Sequence, residues 1–312
     1  MEAVNNPLLT SLLIREWHEK AQVNKPTAMD TTLRYSGAHG CERQMSYYAF
    51  GFNPTEPVDA AGAWVMGVGT VIHELVQEAI GRKYPNAEFE VASKAGEYVS
   101  GSCDAFIPAE DFGYEWTGGN VLFELKTMGT YSFDSQVGID RMRGKWKDKG
   151  AEGPKRGAIA QAGMNALGIE EARGIRIDTL ILGSITFEAI SKQKAKTLLL
   201  NNDILRVSAE FHIPREEWEP LALAELARLH GIGDAIKNGY LAPRLAIGDD
   251  GRQIGLDPFG RNWQCDYCSF RSACVNDGDG MVWVNDSSLQ QLKDNPALVY
   301  EAADITEARN GR

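Results

Sequence analysis

Cysteine is scarce in this chain, which has five in 312 residues. Long apolar runs are absent too: none approaches the roughly 20 residues of a membrane-spanning helix. The N-terminus carries no basic segment ahead of its leucines, as a signal peptide would. These absences predict a cytoplasmic protein with no membrane partner. In that compartment thiols stay reduced, and cysteines that cluster more often bind metal or do chemistry.

Excess positive charge is also missing, because the formal net charge is −11. Taken alone, this argues against a nucleic-acid partner, since such proteins usually carry a basic patch. Net charge is a weak test, however. A site built from carboxylates adds negative charge, and a local basic stripe can still hold phosphates. Hydrophobic residues make up 43% of the chain, which is enough for a real core.

The periodicity of apolar residues indicates helices mixed with a small set of strands. Predicted helices cover 6–21 (with Asn6 as its cap and Pro7 at its first position), 60–82, 156–168 and 215–238. Predicted strands cover 87–93, 97–107, 120–128 and 178–190. We expect an α/β or α+β domain with no internal repeat.

Three of the five cysteines lie within ten residues, as Cys265, Cys268 and Cys274, and Cys41 lies far upstream. Four thiolates suit a tetrahedral zinc ion or an iron–sulfur cluster. Only one Cys-x-x-Cys knuckle is present, and this irregular spacing favours a cluster over zinc; four unrelated buried cysteines are the third alternative. A centre joining residue 41 to residue 265 would close most of the chain into one loop and stabilise it. Cys103, inside a predicted strand, is interpreted as a plain core thiol.

Two carboxylates and a lysine fall on neighbouring predicted strands. Glu124 and Lys126 are two apart, so both point to one face, and Leu125 points to the other. Asp104 lies in the preceding strand, and the turn-rich linker 111–120 predicts a hairpin that sets it beside Glu124. Two adjacent carboxylates suit a hard divalent cation. The alternative is a buried salt bridge between Glu124 and Lys126.

Two further residues carry little signal by themselves. His73 lies in a predicted helix, where a lone histidine is usually structural. Gln161 begins the helical segment QAGMNAL and alone would be an ordinary surface glutamine.

Taken together, these pieces resemble one family. Along the chain they are Cys41, a Gly-x-x-x-His motif in a helix with His73 as its histidine, and a Gly-x-x-Asp motif in a strand with Asp104 as its aspartate. The Glu124-x-Lys126 strand, a helix with Gln161 and a final Cys-x2-Cys-x5-Cys follow. The chain resembles a RecB-like nuclease of the PD-(D/E)XK superfamily over roughly residues 35 to 280. It is most similar to the iron–sulfur exonucleases associated with CRISPR loci and found in phages, and the AddB nuclease domain shares the cysteine pattern.

The resemblance implies a role for each matching position. His73, Asp104, Glu124 and the Leu125 carbonyl would bind catalytic Mg²⁺ or Mn²⁺. Lys126 would be the catalytic lysine, and Gln161 would help to hold the active site or the DNA. A largely structural 4Fe–4S cluster would be carried by Cys41, Cys265, Cys268 and Cys274. Many relatives have a tyrosine four residues after the glutamine, where this chain has Asn165, which puts a DNA contact at that position in doubt.

The implied fold is a restriction-endonuclease-like core, with a central mixed sheet flanked by helices and a cluster that joins the N- and C-terminal parts. It divides the chain into an N-terminal helical segment (1–34), the nuclease domain (35–280) and a polar C-terminal tail (281–312).

A basic stripe runs through residues 140–150, DRMRGKWKDKG. Its five cationic residues occupy alternate positions, so an extended segment would place them on one edge with Trp146 on the other. Such a stripe could follow a phosphate backbone while the aromatic stacks on a base. A solvated, mobile loop is the alternative. The predicted DNA-binding residues are Arg141, Arg143, Lys145, Trp146, Lys147, Lys149, Lys155 and Arg156.

The sequence therefore predicts a Mg²⁺- or Mn²⁺-dependent DNA exonuclease with a 4Fe–4S cluster, acting on single-stranded DNA or DNA ends in recombination, repair or CRISPR adaptation. The rival from another class is a non-catalytic DNA-binding or recombination partner that keeps the fold and cluster. A zinc-stabilised relative is the third possibility. Candidate protein partners are recombination or CRISPR-adaptation proteins and a second copy of the chain.

Overall fold

A mixed six-stranded sheet with helices on both faces forms the centre of the protein. The computed structural model describes residues 16–19, 33–52, 54–112, 118–140, 147–148, 151–187, 207–244, 263–277 and 282–283. This architecture confirms the predicted α/β class and the mixed central sheet.

The predicted helices from residue 60 onward and the predicted strands are present in the expected order, whereas the helices at 42–49 and 130–137, the strand at 208–214 and the shorter elements were not predicted. The strands are β1 (Leu33–Arg34), β2 (Glu88–Ala95), β3 (Val99–Ile107), β4 (Asn120–Met128), β5 (Ile139–Asp140), β6 (Lys147–Asp148), β7 (Ile177–Thr186), β8 (Ser208–Pro214), β9 (Tyr240–Leu241) and β10 (Val282–Trp283). The helices are α1 (Glu42–Ala49), α2 (Ala60–Lys83), α3 (Thr130–Val137), α4 (Arg156–Arg173), α5 (Arg215–Lys237), α6 (Trp263–Asp266) and α7 (Arg271–Asp277). Short 3₁₀ turns cover Tyr35–Gly37 and Ala109–Phe112.

Local sequence explains several of the helix ends. The Asp59 side chain accepts a hydrogen bond of 2.7 Å from the Gly62 amide, so it caps the N-terminus of α2. Gly138 and Gly174 follow α3 and α4 in the left-handed conformation, with φ of 78° and 64°, which glycine adopts without a steric penalty.

In the sheet β3 pairs with β1 and β4 along one edge and with β2 along the other. From β4 the sheet continues through β7 to β8. The β3–β4 pair is antiparallel, which confirms the predicted hairpin. The β4–β7 pair is parallel, so the chain crosses over between them through α3 and α4.

The edge of β3 that faces β4 is only partly paired. β1 occupies its beginning, at Val99 and Ser100, and β4 occupies its end, from Ala105 to Ile107. Within the described residues, 101–104 therefore have no strand partner on this edge. β4 itself continues along β7 as far as Met128, so a gap opens between β3 and β4 beyond the Ala105–Phe123 pair.

Each face of the sheet has its own apolar core. The larger core packs α1, α4 and α5 against one face, around Trp218, Leu122 and Met164. The smaller one packs Ile72, Val76 and Ile80 of α2 against the other face. The gap between β3 and β4 is thus enclosed between α2 and α4.

Parts of the predicted ends are also visible. Residues 16–19 are helical, whereas the rest of the predicted helix 6–21, including Asn6 and Pro7, lies outside the described residues. At the other end, β10 pairs antiparallel with β9. Within the described ranges, no helix is both long and apolar enough to cross a membrane.

Candidate active site

Five polar side chains from four elements meet at the gap between β3 and β4. α2 supplies His73, β3 supplies Asp104, β4 supplies Glu124 and Lys126, and α4 supplies Gln161. Hydrogen bonds link them in two groups, one around the Asp104 carboxylate and one around the Glu124 carboxylate. These are the positions that the sequence predicted for metal binding and catalysis, and the fold brings all five together.

The first group holds the Asp104 carboxylate. Asp104 Oδ2 accepts a hydrogen bond of 2.6 Å from the Leu125 amide, and Asp104 Oδ1 lies 3.1 Å from His73 Nδ1. The hydrogen bond to Asp104, aided by its charge and that of Glu124, raises the pKa of His73 above its usual value. The N–H and C=O of one strand residue face the same neighbouring strand, so the Leu125 carbonyl also faces the gap.

The second group surrounds Glu124. Lys126 Nζ donates hydrogen bonds of 2.9 Å to both Glu124 Oε1 and Gln161 Oε1. Gln161 Nε2 donates in turn to Glu124 Oε1 at 2.6 Å. Gln161 is therefore a bridge between the lysine and the carboxylate, which its position in the sequence alone could not show.

Glu124 is the most constrained of these groups. It is 3% exposed, and burial raises the pKa of its carboxyl to about 7 although Lys126 opposes the shift. Its Oε2 atom is buried and has no hydrogen-bond partner among the described residues. A buried carboxylate oxygen without a partner is costly unless a cation or a proton satisfies it.

The local sequence accounts for this arrangement. Leu125 points into the smaller core, so Glu124 and Lys126 turn to the α4 side, as strand alternation requires. On the other face, Gly69 lets α2 approach β4 closely, because an added Cβ would lie 3.0 Å from Thr127 Oγ1. Gly69 lies one helical turn before His73, so this close approach brings the His73 turn of α2 to the sheet.

The donor set fits a divalent cation. It consists of carboxylate oxygens and a backbone carbonyl, which Mg²⁺ and Mn²⁺ prefer, together with an imidazole, which is more typical of transition metals. Glu124 Oε2 is an acceptor without a hydrogen-bond partner among the described residues. Across the described part of the chain, however, no three His, Cys, Asp or Glu side chains form a preformed metal-binding group. Asp104 and His73 bond each other, and Glu124 Oε1 bonds Lys126 and Gln161. Binding would require these side chains to exchange protein partners for the cation.

Asn165, four residues after Gln161, lies inside the protein. It is fully buried, and its Nδ2 atom donates a hydrogen bond of 3.1 Å to the Ser102 carbonyl. Its carbonyl oxygens accept from Ser93 Oγ. Asn165 therefore ties α4 to β2 and β3 and cannot touch DNA in this conformation.

The four predicted cluster cysteines converge from the two ends of the described chain. Cys41 precedes α1, Cys265 lies in α6, Cys268 follows it and Cys274 lies in α7. A thiolate at Cys265 would raise the pKa of Cys41, and a thiolate at Cys41 would raise the pKa of Cys268 and of Cys274, so these cysteines lie near one another. No three of these described side chains form a preformed metal-binding group, however. Burial raises the pKa of Cys268 to about 11 and that of Cys274 to about 12. These thiols are therefore neutral at pH 7 unless a metal ion binds them, since a bound metal deprotonates its thiol ligands.

Aromatic packing, which the sequence reasoning missed, brings these cysteines together. Phe270 is 1% exposed, stacks on Tyr47 at 4.9 Å and meets the Tyr48 ring edge-on at 4.8 Å. Glu56 Oε1 also accepts a hydrogen bond of 3.0 Å from the Ser272 amide, at the start of α7. The signal was the phenylalanine inside the cysteine motif, CDYCSFRSAC.

Cys103 differs from these four cysteines. It is fully buried in β3 as part of the larger core, and burial raises the pKa of its thiol to about 12. Its surroundings agree with its interpretation as a core thiol.

The predicted DNA-binding residues are only partly within the described chain. Lys155 and Arg156 are exposed at the start of α4. The backbone of Lys147 belongs to β6, which pairs with β5. Arg141, Arg143, Lys145, Trp146 and Lys149 lie outside the described residues, so the basic stripe stays a prediction.

Comparison with known proteins adds little. No protein-family model matches the chain, and no curated protein matches it significantly. Among solved structures, one described as the crystal structure of SSO0001 is similar, with a TM-score of 0.44 and 17% sequence identity. The similarity covers 84% of this chain and 93% of that one. The function has to be inferred from the residues of the chain itself.

Proposed function

We propose that this protein is a metal-dependent deoxyribonuclease that hydrolyses phosphodiester bonds at DNA ends, preferentially of single strands. One observation carries the proposal. His73, Asp104, Glu124, Lys126 and Gln161 converge at the gap between β3 and β4, and the buried Glu124 keeps an oxygen without a hydrogen-bond partner among the described residues. Recombination, repair and CRISPR adaptation are settings in which such an activity would act.

The chain's own residues would divide the work. Asp104, Glu124, His73 and the Leu125 carbonyl would hold Mg²⁺ or Mn²⁺. Such a cation polarises a phosphate and lowers the pKa of bound water. Lys126 would place its positive charge beside the phosphate where negative charge develops in the transition state. Gln161 would hold the Lys126 and Glu124 side chains in fixed positions relative to each other, since it forms hydrogen bonds with both.

A 4Fe–4S cluster on Cys41, Cys265, Cys268 and Cys274 is the second part of the proposal. The four thiols lie near enough to one another for the charge of one thiolate to affect the next, and they are partly shielded from solvent. Its role would be structural, because the cysteines join α1 to α6 and α7, whereas the candidate active site is built from α2, β3, β4 and α4.

One observation favours the non-catalytic rival. Without a cation, Lys126 and Glu124 already form an ion pair of 2.9 Å, as a structural salt bridge would. Among the described residues, however, the pair leaves Glu124 Oε2 without a hydrogen-bond partner, and a purely structural bridge gives no reason to bury that oxygen.

A cleavage assay separates the two functions. End-labelled single-stranded and duplex oligonucleotides, with a circular single strand as control, are incubated with Mn²⁺, Mg²⁺ or EDTA. We expect metal-dependent loss of label from linear single strands and resistance of the circle. DNA binding without cleavage in either metal would establish the rival, and cleavage that survives EDTA would exclude a metal-dependent enzyme.

A further inference from the structure

The residues that hold Asp104 in the gap lie outside the motif set discussed so far. By register Glu90 of β2 stands opposite Asp104, because Phe89 pairs with Ala105 and Val91 pairs with Cys103. Glu90 and Asp104 do not themselves form a ladder pair. The ladder between β2 and β3 is therefore interrupted at the residue that would bind the metal.

The backbone at this interruption is unusual. Glu90 has a φ of 49°, in the left-handed region that few side chains adopt without compensation from their surroundings. Both strands also change face here: Phe89 and Ala105 belong to the smaller core, whereas Val91 and Cys103 belong to the larger one. This switch leaves the Asp104 carboxylate in the gap, between His73 of α2 and the Leu125 amide of β4.

One amide side chain spans the interruption. Gln77 Nε2 donates a hydrogen bond of 2.8 Å to Glu90 Oε1 and another of 3.2 Å to the Asp104 carbonyl. These two bonds use both hydrogens of the Gln77 amide. Ser102 Oγ donates to the other Glu90 oxygen at 3.1 Å. Gln77 lies one helical turn after His73, so the helix that supplies the imidazole also holds the backbone of its carboxylate partner.

We infer that Gln77 and Glu90 are positioning residues that hold Asp104 in its metal-binding orientation. The inference rests on the proposed function in so far as Asp104 is a metal ligand. Partners behind a metal ligand fix its orientation, and their loss typically lowers metal affinity about 10- to 100-fold. Neither residue touches the reacting atoms.

The first test is the affinity for Mn²⁺, measured as free ion by electron paramagnetic resonance on the full chain. Gln77→Ala should weaken binding about tenfold or more. Glu78→Ala is the matched control: it is the next residue along α2, is exposed and pairs with Arg82. Affinity equal in Gln77→Ala, Glu78→Ala and wild type would overturn the inference.

The second test needs no metal. The Leu125 amide donates to Asp104, so its hydrogen exchange reports whether the carboxylate is in place. In the metal-free protein, Gln77→Ala should speed this exchange roughly fivefold, the factor that corresponds to one ordinary hydrogen bond. Unchanged exchange at Leu125 would contradict a positioning role. A wild-type protein that binds no Mn²⁺ would instead overturn the proposed function, and this measurement would still decide the inference.

Glu90 is tested by comparing three substitutions. Glu90→Gln should stay near wild type in both measurements, since its amide oxygen can still accept from Gln77. Glu90→Ala should lose both affinity and Leu125 protection. Glu90→Gly should lose them too, even though glycine relieves the backbone at this φ and thereby favours folding. If Glu90→Gly matches wild type, the left-handed backbone conformation at position 90 rather than the carboxylate orients Asp104, and the Glu90 side chain has no such role.

Discussion

The Leu125 amide donates a hydrogen bond of 2.6 Å to Asp104 Oδ2 just beyond the point where β3 and β4 stop pairing. A side-chain carboxylate takes the place of the missing strand partner. The bond fixes Asp104 next to the strand that carries Glu124 and Lys126. It also explains why the candidate active site lies where it does, because only a gap in the ladder has room for a carboxylate and a cation.

The first prediction concerns the catalytic groups. Lys126→Ala and Asp104→Ala should each reduce the rate of metal-dependent DNA cleavage by at least about 10²-fold, because each removes a charge that would act on the transition state. Lys94→Ala, an exposed lysine of β2, is the matched control and should cleave normally. Single-turnover rates at saturating DNA, together with the visible spectrum of the proposed cluster, measure the effect. Full activity in either site variant would show that the site has been misplaced.

The second prediction concerns pH. The Glu124 carboxyl has a pKa of about 7 in the folded protein against a usual 4.5, so between these values the folded state holds a proton that the unfolded state has lost. The free energy of unfolding of the metal-free protein should therefore fall, relative to Glu124→Gln, as pH rises from about 4.5 to about 7. The total change should be on the order of 3 kcal/mol.

Urea unfolding in EDTA across this window measures the difference between wild type and Glu124→Gln. A constant difference would show that Glu124 is not held protonated by burial. Adding Mn²⁺ should restore the stability of wild type at the upper end of the window, since a bound cation favours the carboxylate.

The third prediction concerns the cysteines. Protein purified without oxygen should be brown and contain about four irons and four acid-labile sulfides per chain. Cys268→Ala should lose iron and unfold at lower temperature, because ligation is coupled to folding. Cys103→Ala should retain its iron, since Cys103 belongs to the core of β3. Stoichiometric zinc without iron, or full stability of Cys268→Ala, would refute a structural iron–sulfur cluster.

The fourth prediction concerns the basic stripe. Changing Arg143, Lys145 and Lys147 to Ala should flatten the slope of log affinity for single-stranded DNA against log salt by about two, because each phosphate contact releases roughly 0.7 of a counterion. Turnover at saturating DNA should change much less, since these contacts hold substrate and transition state alike.

Trp146→Ala separates stacking from charge in the same assay. It should weaken DNA binding with little change in the salt slope. An unchanged affinity and slope in the triple variant would mean that the stripe is a solvated linker and that other residues hold the phosphates.

The sequence by itself determined the local parts of this protein. Strand alternation placed Glu124 and Lys126 on one face, and the turn-rich linker predicted the β3–β4 hairpin. Periodicity placed α2, α4 and α5 within a few residues of their observed bounds. These features depend on neighbours in the chain, and patterns of period 2 and 3.6 report such neighbours directly.

Only the tertiary structure decided how these parts meet. Gln161 bridges Lys126 and Glu124 because α4 packs over β4. Asn165 is buried because the same helix packs against β2 and β3. Phe270 joins α7 to α1 across most of the chain. Each contact depends on packing between residues far apart in sequence, and burial, which sets the pKa of Glu124, arises only when the layers close around it.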